Sequence, residues 1–167
     1  PDGNAVPLTL AENGKTDYKI IYSASHQADK AAAEKLAFYL ERLSGGTVFP
    51  LFANPSSIQE PYISIGKTSA ANSLGAGADF LPQQDEIEIL LSGRNLFLSA
   101  SDNILNAVMA LLENDLGCRF FTPDITCLPV QHDGLNVQVV ARREKAAFRD
   151  RLILTDYALV MNSDWFR

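Results

Sequence analysis

The sequence predicts an α/β (α+β) domain, a mixed β-sheet with two long helices packed mainly on one face. Apolar residues recur at helical spacing over 27–43 and again over 102–116. Short β-branched and aromatic runs, each bounded by turn residues, lie before, between and after those two stretches. The 167 residues are 47% apolar and 20% charged, the usage of a compact domain rather than of a disordered or fibrous chain. A domain of that length buries roughly 70% of its unfolded surface, so it needs no staple to hold a core.

The elements follow in order. Residues 6–10 (VPLTL) and 18–23 (YKIIYS) read as strands, with Asn13-Gly14 as the turn between them. The first helix places Ala28, Ala32, Leu36, Tyr39, Leu40 and Leu43 on one face; Ser25 is its candidate N-cap and Gly45-Gly46 its stop. TVFPLF (47–52) and YISIGK (62–67) are two short strands separated by a polar, proline-containing loop. Residues 68–84 are weakly patterned, with room for one helical turn and a loop. EIEILL (86–91) and NLFLSA (95–100) flank Ser92-Gly93-Arg94 as the clearest hairpin. The second helix, capped by Ser101 or Asp102, turns Ile104, Leu105, Val108, Leu111, Leu112 and Leu116 toward a core. Gly117 can end it in the left-handed conformation, Phe120 and Phe121 favour a strand, and Pro123 stops that strand. LNVQVVA (135–141) is the last strand; beyond Arg142 comes a charged connector and then a new apolar run, RLILTDYALVM. Two units are therefore expected, 1–144 as an α/β domain and 145–167 as a connector and the start of another unit.

Composition narrows the chemistry. A net charge of −6 with scattered lysines and arginines repels polyphosphates, which argues against nucleic acid. Apolar runs fall far short of the roughly 20 residues that cross a bilayer, and no basic, apolar leader precedes Pro1, so a secretory signal is either absent or already removed. His26 and His132, the two histidines, form no HExxH pair, the two cysteines form no CxxC, and no metal or cofactor is expected. GxSxG, GxGxxG and GxxxxGK[ST] are all missing; Gly75 and Gly77 read as a flexible loop. Asp85, Glu86 and Glu88 read as solvated charges at a hairpin edge and Glu113 and Asp115 as helix-end charges, so neither group forms an acid and base pair for glycoside chemistry. Cys118 and Cys127 lie on either side of a Pro123-Asp124 turn, a spacing open both to a disulfide and to two free thiols.

Taken together, "ADKAAAEKLAFYLERLSGG", "YISIGKT", "DEIEILLSGRNLFLSASDNILNAVMALLENDLGCRFFTPD" and "AAFRDRLIL" resemble the accessory domain that precedes the catalytic barrel in alpha-glucuronidases, family 20 beta-hexosaminidases and related bacterial proteins. The resemblance covers about residues 18–155 and rests on the order helix, Ser-Gly-Gly, Ile-Gly strand, hairpin, long helix and Leu-Gly-Cys-Arg-Phe-Phe-x-Pro. It departs from the family at Ser99-Ala100-Ser101, where a glycine-rich segment is usual, and at Asn103-Ile104, often Arg-Gly. It implies a hexosaminidase domain-2-like fold, related to zinc peptidases but carrying no metal centre. It further implies a secreted or periplasmic glycoside-hydrolase-like parent, no catalytic residue in this chain, and the parent's barrel as the domain's partner. By the same resemblance Arg151 and Asp156 are candidates for substrate contact in the parent; an ion pair at a domain boundary is their alternative.

Two other functions are weighed against a noncatalytic accessory domain. An independent carbohydrate-binding module would draw stacking faces from Tyr18, Tyr62, Phe80, Phe120 and Phe121, most of which sit at core-like positions. A self-contained enzyme would need an active constellation that the sequence does not supply.

Overall fold

The computed structural model describes residues 4–76, 84–122 and 125–145. Ten strands and three helices follow in the order β1 (Val6–Glu12), β2 (Lys19–Tyr22), α1 (Gln27–Leu43), β3 (Leu51–Ala53), β4 (Tyr62–Ile65), α2 (Ser69–Leu74), β5 (Glu86–Ser92), β6 (Asn95–Ala100), α3 (Ile104–Ala110), β7 (Arg119–Thr122), β8 (Ile125–Cys127), β9 (Gly134–Val139) and β10 (Arg142–Lys145). Six strands form one mixed sheet in the order β10-β5-β6-β4-β2-β3, and β1-β9 and β7-β8 are separate two-stranded ribbons. The mixed α/β class expected from the pattern is therefore the class observed.

Alternation along the strands divides the sheet into two unlike faces. Register aligns Ile20, Ile63, Leu96 and Leu91 in one row and Ile65, Leu98 and Ile89 in the next. These residues form one core with Ala33, Leu36 and Leu40 of α1 and Ala107 and Val108 of α3, which cover that face together. Leu8, Leu10, Leu135, Val137 and Val139 of the β1-β9 ribbon join the same core. The second face carries Ile21, Ser64, Phe97, Ser99 and Glu88, and the short α2 packs there through Ala71 against Phe97, flanked by Tyr62 and Leu90.

Several local expectations change. Asn13 and Gly14 both take positive φ, 50° and 72°, closing a tight turn between Glu12 and Lys15. The strand before that turn nevertheless pairs with β9 and not with β2. The first helix runs over the expected residues, but His26 and not Ser25 occupies its N-cap position, without a side-chain capping bond. TVFPLF yields a strand only from Leu51, because Pro50 has no N–H to give a ladder; its carbonyl accepts from Ile20 at 2.8 Å. All three residues of β3 are exposed, including Leu51 and Phe52, so this edge of the sheet is uncharged and apolar.

The second helix starts one residue after Asn103, whose side chain caps Leu105 N at 3.1 Å; Ser101 and Asp102 instead hold the start of β5, accepting from Glu86 N and Asp85 N. Its last turn, Leu111–Asp115, is a π turn, and Gly117 ends the segment at φ 73° as the sequence suggested. The charged stretch from Arg142, expected as a connector, forms the edge strand β10 beside β5. That places Glu86 and Glu88 on an inner strand, where both are buried, and corrects their reading as solvated edge charges.

Candidate functional site

Strands β2 and β4 lie side by side and parallel, and the helices that follow them leave on opposite faces of the sheet. A chain that diverges in this way at the carboxyl ends of two adjacent parallel strands leaves a crevice, the usual ligand position in open α/β sheets. Here Ser23, Ser25, His26 and Asp29 follow the end of β2, and Gly66 and Lys67 follow the end of β4.

The serines and the histidine form one small network. The hydroxyls of Ser23 and Ser25 are 2.8 Å apart, and His26 Nδ1 lies 3.1 Å from Ser25 Oγ and 3.3 Å from Ser23 Oγ. Ser23 is buried, whereas Ser25 and His26 are exposed. Asn54, at φ 42°, holds the loop by accepting from Ala24 N at 3.1 Å.

Asp29 lies in the first turn of α1 and is only 5% exposed. One of its carboxylate oxygens accepts from Lys67 N at 3.0 Å, which staples the helix to the turn after β4. Burial raises the pKa of this carboxyl; the Lys67 hydrogen bond and the charges of His26 and Lys67 oppose the shift. Gly66 is required at the contact on two counts. Its φ is +69°, and a Cβ there would stand 2.4 Å from the Asp29 carboxylate.

Chemically the crevice offers hydroxyl and imidazole hydrogen bonds above a carboxylate already bonded to backbone. The ring contacts of His26 go to serines, and the nearer serine is the exposed one, so the network suits holding a polar group more than driving acyl transfer. Among the described residues no group of three or more His, Cys, Asp or Glu side chains could hold a metal, and no helix is long and apolar enough to cross a membrane.

The residues singled out in the sequence are dispersed. Cys118 and Cys127 are free thiols: Cys118 is buried, and Cys127 is exposed on β8, opposite Arg119. Arg151 and Asp156, and Phe80 among the aromatic candidates, lie outside the described residues. Tyr18 is buried, donating to Arg94 O at 2.9 Å, and Phe120 is partly buried with its ring edge-on to Tyr39; Phe121 is exposed and Tyr62 half-buried. Glu88 accepts from Arg143 at 2.7 Å, and Asp115 makes a two-pronged pair with Arg142, so both belong to structural ion pairs. The crevice residues went unread because their signal, a polar S-A-S-H turn after a strand and an Ile-Gly-Lys after another, becomes a site only once β2 and β4 are known to be neighbours. The chain matches no model of a known protein family, and it has no significant match among curated protein sequences.

Proposed function

We propose that this chain is a noncatalytic accessory domain of a glycoside-hydrolase-like protein of carbohydrate degradation, secreted or periplasmic, whose barrel follows in the same polypeptide. One observation carries most of the weight. β10 is antiparallel to β5, β5 is antiparallel to β6, and β6, β4 and β2 are mutually parallel. β10 therefore runs in the same sense as β2 and β4, and Lys145 lies toward the edge where the crevice opens. With β5 and β6 between β10 and β4, that end of β10 and the crevice are about 15 Å apart across the sheet at ordinary strand spacing. A unit that follows Lys145 meets that edge first, and the Ser25, His26 and Lys67 side would form one rim of the space between the two.

The test compares two proteins, this chain and the longer chain continued past Arg167. Residues 1–167 should leave a panel of aryl glycosides intact while the continued chain hydrolyses at least one of them through carboxylates beyond 167. Hydrolysis by the short chain that is lost on changing one of its own carboxylates would overturn the reading, as would a continuation without paired acidic residues on a barrel.

A further inference from the structure

On the second face of the sheet, away from the helices α1 and α3, the crossing from β3 to β4 passes over β2 and stands opposite α2. Between them lies a cleft of about 290 Å³, near the lower end of the range for small-molecule sites. Its floor is Ile21 and the Tyr62 ring, with Ile58 and Ala70 on the walls.

The polar lining is unusual for its spare capacity. Tyr62 Oη, the Asn54 amide nitrogen and the hydroxyls of Ser56, Ser57 and Ser69 make no hydrogen bond to another side chain or to the backbone among the described residues. Glu60 uses one carboxylate oxygen to accept from Asn95 at 2.6 Å and keeps the other. Tyr62 is held edge-on to Phe97, with ring centroids 5.8 Å apart, so its ring is fixed in place rather than free to collapse into the cleft. Burial, with the Glu60 charge second, raises the Tyr62 phenol above its usual value, and it remains a donor at neutral pH.

We propose that this cleft binds a neutral, polyhydroxylated ring of the size of one sugar unit. Among the described residues no lysine or arginine lines it, which removes the partner that a phosphate or carboxylate ligand needs. A single carboxylate with one oxygen already bonded is a poor match for a cation. What remains is an apolar, aromatic floor for the C–H face of a ring and a surround of hydroxyl, amide and carboxylate groups for its hydroxyls. Preorganisation is partial: the floor belongs to the sheet, whereas Ser56 and Ser57 are exposed on the crossing, so the affinity expected is millimolar.

Saturation-transfer NMR on the full chain, with glucose, xylose and N-acetylglucosamine as probes and choline and inorganic phosphate as charged controls, tests this directly. At least one neutral sugar should give a saturable signal that weakens about three- to tenfold in Tyr62→Phe, the effect of one neutral hydrogen bond. It should vanish in Ser57→Trp and in Ser69→Trp, which fill the cleft from exposed positions; an unchanged urea midpoint shows that these variants fold. Absence of saturation for all three sugars, undiminished binding in both tryptophan variants, or tighter binding of choline or phosphate would each overturn the proposal. The cleft and the following barrel are tested separately, since sugar binding here requires no residue beyond 145, and a continued chain without hydrolase activity leaves the cleft as it is.

Discussion

A buried carboxyl that is protonated more readily in the folded state than in the unfolded chain ties stability to pH in a fixed direction. Asp29 is such a group: its pKa is raised from 3.8 by burial. Its favourable contribution is complete below that value, is lost as the pH climbs through the raised pKa, and stays lost above it. Asp29→Asn keeps an acceptor for Lys67 N while abolishing the titration. Urea midpoints taken from about pH 3 to 7 should therefore move in the variant's favour over the weakly acidic range and level off beyond it. A difference between variant and parent that ignores pH would show that the charge costs nothing there. The two thiols make a second contrast at this scale. Burial, with Glu113 adding its negative charge, pushes Cys118 up to about 11, whereas Cys127 is exposed. Iodoacetamide at neutral pH should modify Cys127 alone in the native protein and Cys118 only after unfolding. Protection of both under native conditions, relieved by reductant, would mean that they are bridged.

Among the elements, the end of α3 and the start of β10 behave as one device. Arg142 donates to both carboxylate oxygens of Asp115, at 2.9 and 2.7 Å, to Glu144 at 2.6 Å, and to the carbonyls of Val140 and Ala110. Asp115 is almost wholly buried at its side chain and Arg142 mostly so, 4% and 17% exposed. Water therefore screens the pair little, and removal of one partner strands the other. Asp115→Ala should lower stability by about 3 kcal/mol in urea unfolding, and the double variant Asp115→Asn, Arg142→Met should recover part of that loss. A loss below about 1 kcal/mol would place the pair among surface ion pairs of little consequence. This device explains why β10 escaped the sequence: Arg-Arg-Glu-Lys has the composition of a connector, and only its partners make it a strand. The same limit applies to Glu86 and Glu88, whose charges read as solvated until β10 covers the edge of β5. α1, the β5-β6 hairpin and β9 were legible because each carries its own period or turn.

At the scale of the whole molecule, period and turn chemistry determine which elements exist but not which strands are neighbours. β1 illustrates this: its following Asn-Gly turn is of the hairpin kind, yet its partner, β9, lies at the other end of the described chain. The crevice depends wholly on such information, since Asp29, on the helix after β2, and Gly66, after β4, meet only because β2 and β4 pair in parallel. The cleft was half visible, through Tyr62 as a stacking candidate, but its hydroxyl wall comes from a crossing whose sequence is that of an ordinary polar loop. The π turn at Leu111–Asp115 has a consequence for how the chain can change over time. A π turn closes i to i+5 and so holds one residue more than an α turn. A deletion within 111–115 that restored regular α-helix would take out that extra residue and leave Asp115 facing close to its present direction, whereas regular α-helix at the present length would carry it roughly a quarter turn around the axis. The carboxylate would then leave the guanidinium of Arg142, and β10 would lose its tie to the helix end. In this segment length and backbone geometry are coupled, and a change in one is harmless only with the matching change in the other.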